Sequence, residues 1–140
     1  MKILSYYIGI CLVFCVAASV SCRKFIEKQK QQVAENIITD GNWRVSRYVS
    51  GDSDLTAAFN GYLFQFKDNG TVDGIMGSQI ITGTWSADIA SRTISSGFPA
   101  GKLPVSLLNY TWKITDSYND SVSANTQVDT TLLRLELHKN

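Results

Sequence analysis

The stretch YLFQFKDNGTVDGIM, residues 62–76, decides the fold. Tyr62, Phe64 and Phe66 alternate with Leu63, Gln65 and Lys67, so the rings share one face of an extended strand. Asp68-Asn69-Gly70 follows, the tightest turn of the chain, and Thr71 to Met76 returns as a second strand. Asn-Gly between two β-rich runs is the strongest short-range hairpin signal, because both residues tolerate the backbone angles of a tight reversal.

The same period of two extends outward on both sides. Upstream, Trp43, Val45 and Val49 alternate with Arg44, Ser46 and Tyr48 in a first strand. Ser50 to Gly61 connects it to the hairpin, with Asp52, Ser53 and Asp54 placed to cap a helical turn through Leu55–Phe59. Downstream, Gln79–Ser86 carries Ile81, Gly83 and Trp85 on one face, and Ser91–Ser95 reads as a short strand. Gly97–Pro104 is a loop holding both prolines, and Val105–Thr115 reads as one long strand with Leu108, Tyr110, Trp112 and Ile114 aligned. Ser121–Ala124 is a further strand. Thr131–His138 closes the chain, with Leu133, Leu135 and Leu137 facing in and Arg134, Glu136 and His138 facing out. About eight short strands with no helix long enough for a parallel crossover make an all-β antiparallel meander, either a closed barrel or a sandwich.

The N-terminus has a different grammar. Lys2 precedes an 18-residue uncharged run, Ile3–Val20, which ends in the small residues Ala17-Ala18-Ser19-Val20-Ser21 ahead of Cys22. That is the form of a cleaved export signal covering residues 1–21. Arg23, Lys24, Lys28 and Lys30 follow the apolar run, an arrangement that disfavours a permanent span with an exported domain. Cys11 and Cys15 fall inside the signal, so Cys22 is the only thiol of the mature chain and no internal disulfide is expected. Residues 22–40 form the stem. Phe25, Gln29, Val33 and Ile37 fall at helical spacing, and the segment reads as a short helix or a flexible stalk. The β domain occupies residues 41–140.

Charge excludes some functions. The whole chain has 13 Lys+Arg against 12 Asp+Glu, and loss of Lys2 with the signal leaves 12 against 12. That balance gives no concentrated basic face for nucleic acid. Residues 23–38 carry a net +2 and residues 39–140 a net −2, which places the basic stem either beside anionic head groups or in solvent. Catalytic chemistry has little to stand on. His138, the only histidine, lies two residues from the end, and a general base must be held rigidly against its nucleophile. Asp52 and Asp54 suit a loop and a cap, and Asp68 suits a turn. The run Asp68–Asp73 lacks the alternating ligands and distant bidentate Glu of a calcium loop. No enzyme activity, metal or cofactor is therefore expected.

Ser19-Val20-Ser21-Cys22 resembles a lipobox, with Ser19 where Leu or Val is usual, and a Ser-Cys junction followed by basic residues resembles the looser signals of Bacteroidota lipoproteins. Gly41-Asn42-Trp43, opening the first strand after a helical segment, resembles the Gly-x-Trp signature of the lipocalin barrel. In the order lipobox, Gly-x-Trp, aromatic strand, Asn-Gly hairpin, Gly83-Thr84-Trp85, then Trp112 and Arg134 strands, residues 41–138 look like the lipocalin-like small lipoproteins of Bacteroidota. The resemblance implies an up-and-down eight-stranded barrel and a Cys22 acylated at a membrane. It also implies closure of the barrel base by a basic residue, here Arg134, stacked on Trp43. By alternation Arg134 points away from Leu133 and Leu135, so that stacking requires it to wrap around the barrel end. The absence of an acidic run after Cys22 favours the periplasmic face of the outer membrane over the cell surface.

Tyr62, Phe64, Phe66, Trp85, Tyr110 and Trp112 lie at strand spacing on the inward faces. They form either the wall of a cavity for a small hydrophobic ligand or an ordinary core, since a barrel this small is readily filled by its own side chains. The expected function is accordingly a membrane-anchored binder of a small hydrophobic molecule. The alternative is a non-enzymatic envelope interaction or structural lipoprotein with a filled barrel. The loops 50–61 and 97–104 are expected to flank an open end.

Overall fold

The computed structural model describes residues 2–140, with side chains described from residue 21 onward. The signal assigned to residues 1–21 thus lies almost wholly outside the residues whose side chains are described. Helix α1 (Lys2–Thr39) leads into nine strands: β1 (Trp43–Ser50), β2 (Ser53–Asp54), β3 (Leu63–Phe66), β4 (Thr71–Met76), β5 (Gln79–Asp88), β6 (Thr93–Gly97), β7 (Thr111–Ser117), β8 (Ser121–Val128) and β9 (Thr131–Lys139). Every pairing is antiparallel between neighbours from β3 to β9, and β1 closes the ring by pairing β9 on one side and β3 on the other. The result is a closed eight-stranded barrel, with β2 a two-residue flap on the β1 edge. The expected meander is therefore a barrel and not a sandwich.

The stem is helical, and Gly41 explains where it stops. Gly41 has φ 79°, and a Cβ there would meet nothing within 4 Å. The left-handed backbone conformation, not space, calls for glycine, as at many helix C-termini. The central hairpin closes through Asp68-Asn69-Gly70, with Lys67 N donating to Thr71 O at 2.9 Å and Gly70 at φ 81°. Asn69 Oδ1 accepts from Thr71 N at 3.0 Å and from Thr71 Oγ1 at 2.6 Å. This is a three-residue loop with a left-handed glycine, a common hairpin geometry.

Two parts of the sequence reading are corrected. In β1 the register shifts between Val45 and Arg47. The bulge at Ser46 reverses the alternation, so Tyr48 turns inward and is almost wholly buried. Val105–Thr115 is not one strand. Val105–Leu108 is a single 3-10 turn, and β7 begins only at Thr111. The turn wins because it satisfies buried polar groups that a strand would leave bare. Leu108 O accepts from Ser96 Oγ at 2.6 Å, Trp112 Nε1 at 3.1 Å and Tyr110 N at 2.7 Å. Asn109 binds both the N–H and the C=O of Phe98, at 2.6 and 2.9 Å, in place of a strand partner.

Both barrel ends are covered. At one end lie the α1–β1 junction, the β5–β6 and β7–β8 turns and the C-terminus. Ile38 on the last turn of α1 is buried there, and Gln31 clamps the helix to the β5–β6 turn through Ala87 O at 2.7 Å and Ile89 N at 2.9 Å. At the other end two 3-10 turns, Thr56–Phe59 and Val105–Leu108, insert Phe59 and Val105 into the core. The loops expected to flank an open mouth are plugs.

Candidate functional site

The six aromatics singled out in the sequence converge in the barrel, but they meet one another. Tyr62 stacks on Phe64 with centroids 6.1 Å apart, Phe66 meets Trp85 edge-on at 5.4 Å, and Tyr110 meets Trp112 edge-on at 5.9 Å. Five of the six are buried and Tyr110 is half-buried. Three rings that the sequence reading did not include complete the packing. Phe59 bridges Phe64 and Tyr48, at 6.3 and 5.3 Å, and Tyr48 reaches Trp112 at 6.0 Å. Phe98 packs edge-on to Phe64 at 6.1 Å. Edge-to-face and offset contacts at these distances are the favoured ring geometries. Tyr48 was hidden by the bulge, and Phe59 and Phe98 by their position in loops.

Tyr48, Trp85 and Trp112 have their polar tips satisfied by backbone carbonyls. Tyr48 Oη donates to Leu107 O at 2.8 Å, and burial followed by the neighbouring Tyr110 pushes its pKa up to about 12. Trp85 Nε1 donates to Lys67 O at 2.8 Å. Two inward glycines make room for the plug. A Cβ on Gly83 would lie 2.6 Å from Gly97 O and 2.8 Å from Phe98 Cδ1, and one on Gly74 would lie 3.0 Å from Val105 Cγ1. The interior behaves as a packed core rather than a wall around empty space.

Trp43 is fully buried, and its Nε1 donates to Ile38 O at 2.8 Å, tying the barrel base to α1. Lys139, not Arg134, supplies the cation over it. Lys139 Nζ stands 5.4 Å from the ring centroid and 3.1 Å from Asp40 Oδ2. The β1–β9 register explains the exchange. Trp43 pairs with Lys139, while Arg134 pairs with Val49 near the far end of the strand and is exposed.

The carboxylates read from the sequence are not paired with one another. Asp54 Oδ1 accepts from Thr56 N at 2.9 Å at the first plug, and hydrogen bonds from Thr56 hold its pKa below the usual range. Asp73 is buried on the outer face of β4, 2.6 Å from Lys67 Nζ and 2.7 Å from Thr82 Oγ1. The Lys67 ammonium, then Thr82, holds its carboxyl low against the opposing effect of burial.

The open apolar space lies at the barrel mouth, under α1, against the inward-facing Ile94, Ile114 and Val122 and away from the ring cluster. A groove of about 170 Å³ runs between the helix and the ends of β5 to β8, lined mainly by Ala34, Ile37, Ile94, Ile114, Tyr118 and Val122. None of the six inward aromatics lines it. Tyr118 is largely exposed at its rim.

Fold and site together define a small closed meander barrel whose interior is filled and whose mouth is roofed by an N-terminal helix. No family model matches the chain, and no curated protein matches it. Among solved structures it is similar to the crystal structure of a DUF4847 family protein from Bacteroides vulgatus ATCC 8482, at 17% identity and a TM-score of 0.55. The match covers 76% of this chain and 97% of that one. At that identity the likeness shows a shared fold alone.

Proposed function

We propose that this is a lipid-anchored, non-enzymatic envelope protein with a lipocalin-like barrel, and that it binds a small hydrophobic molecule at the helix-roofed mouth. The groove under α1 carries the reading. Its lining is mostly apolar, with Ser117 and Asn119 at hand to orient a polar end, the usual make-up of a small-molecule site. A volume of about 170 Å³ is close to the ~150 Å³ apolar cavity that takes up benzene, so it suits one ring or a short length of acyl chain. Anchoring rests on the small-residue run ahead of Cys22, on the exposed, unpaired thiol at that position and on the basic residues that follow it. The periplasmic face of the outer membrane is the proposed location.

The test is titration of the full chain with a fluorescent fatty acid. Saturable binding is expected, and Ala34→Phe, which fills the groove from the helix side, is expected to abolish it while leaving the β-sheet signal in circular dichroism intact. Cys22→Ala is expected to abolish metabolic labelling by a fatty acid, and labelling that persists in this variant would refute the anchor. The packed ring cluster favours a second reading, an interaction or structural lipoprotein with a filled barrel. No saturable binding across fatty acids and hydrophobic dyes would select it.

A further inference from the structure

On the flank of α1 nearer Cys22 lies a second cavity, of different chemistry. It is an open cleft of about 510 Å³ between the helix and the β5–β6 turn, and Lys24, Lys28 and Lys30 line it together with Glu27 and Asp88. Lys24, Glu27, Lys28 and Gln31 recur at i, i+3, i+4 and i+7, so one helix face turns toward the barrel. Gln31 fixes that face in place by its two hydrogen bonds to the turn, to Ala87 O and from Ile89 N. Asp88 is already engaged, its Oδ1 accepting from Ala90 N and Ser91 N at 2.9 and 3.3 Å. Among the described residues none of the three lysines is in an ion pair. Three ammonium groups thus face two carboxylates, Glu27 and Asp88, in a cleft of net charge +1 in which neither carboxylate is paired with a lysine.

Phe25 and Ile26, on the first turn after Cys22, are 63% and 50% exposed. At 1.5 Å rise per residue, Lys24 and Lys28 stand about 3 and 9 Å along the helix axis from Cys22. The head-group region of a leaflet is about 5–8 Å deep. We propose that this cleft binds the phosphate of an anionic phospholipid head group, with Phe25 and Ile26 resting in the acyl boundary. This deepens the proposed function and rests on its reading of Cys22 as the membrane anchor. Such a contact would hold the helix at a set angle to the membrane, with the apolar groove further along the same helix face, beyond Gln31. Ammonium groups beside an anionic leaflet gain from its surface potential, and apolar side chains add burial at the interface.

The experiment uses the full chain purified from membranes and placed in nanodiscs of equimolar phosphatidylcholine and phosphatidylglycerol. Native mass spectrometry then reads which lipid the released protein retains. Retention of phosphatidylglycerol over phosphatidylcholine is expected. A Lys24→Gln/Lys28→Gln double variant is expected to lose that preference about 10-fold or more, and Lys102→Gln, on the far plug loop, to keep it. Equal retention of the two lipids would overturn the proposal. So would inorganic phosphate that binds the protein in phosphatidylcholine discs and displaces phosphatidylglycerol, since the cleft would then take free phosphate. The intact mass of the same sample reports acylation of Cys22. A mass without acyl chains would defeat the anchoring reading by itself, whatever the lipid preference shows.

Discussion

At the scale of single residues, the protein concentrates its tolerances where two strands or a strand and a plug come closest. Gly83 is the sharpest case, because the obstacle to a side chain there is the backbone carbonyl of Gly97 as well as the Phe98 ring. A carbonyl in a paired strand has little freedom to retreat, so Gly83→Ala is expected to cost about 1–3 kcal/mol, the range for overpacking a close-packed core. Urea unfolding followed by circular dichroism measures it, and a loss near zero would mean that β5 and β6 separate more easily than their pairing implies. Asp73 provides the pH dependence. Its folded pKa is depressed by Lys67 and Thr82, so its stabilisation is present above the unfolded carboxylate pKa of about 3.9 and is lost as pH falls through the lower folded value. Asp73→Asn is therefore expected to lower the melting temperature at neutral pH and to flatten its decline below about pH 4. An unchanged acid limb in Asp73→Asn would assign that limb to other groups, such as Asp54.

At the scale of elements, the barrel is ended by local turns held in place by side chains. Asn109 is the clamp of the second plug, and Asn109→Ala removes both of its bonds to Phe98. Leaving buried backbone groups unpaired costs about 1–3 kcal/mol. Hydrogen exchange is expected to quicken across residues 98–108 while the β3–β4 hairpin stays protected, and uniform quickening would mean that the plug unfolds only with the sheet. The elements also mark what sequence patterning reveals. The hairpin through Asn69-Gly70 and the strands β4, β5 and β9 were legible, because alternation and turn chemistry act within a few residues. The turn at Val105–Leu108 leaves no such mark, because Ser96, which binds Leu108 O, and Phe98, which Asn109 clamps, lie more than ten residues earlier in the chain. Tyr48 was assigned to the outer face because one bulge shifts the phase, and a bulge leaves no mark in a hydrophobic pattern. Lys139 was passed over for Arg134 because the β1–β9 register is a long-range fact.

At the scale of the molecule, two arrangements share the work. Eight strands with bulky inward rings leave a core and not a cavity, since a barrel of this strand number is only just wide enough for its own side chains. The candidate binding space therefore lies not among the inner rings but at the end of the barrel, where Ile94, Ile114 and Val122 meet the stem helix. That junction was invisible in the sequence, where α1 read as a spacer: Ile37 and Ile38 pack on the barrel core although the stem is predominantly polar. The proposed anchor at Cys22, the basic cleft and the apolar groove follow one another along a single helix. The central claim is that a hydrophobic ligand sits under this helix, at the mouth of the barrel and not among its packed rings. A photoactivatable fatty acid, crosslinked to the full chain and mapped by peptide mass spectrometry, tests it most directly. Labels on residues 87–94 and 114–122, reduced by Ala34→Phe, are the expected result; labels on Phe64, Trp85 or Trp112, or none that saturate, would contradict it.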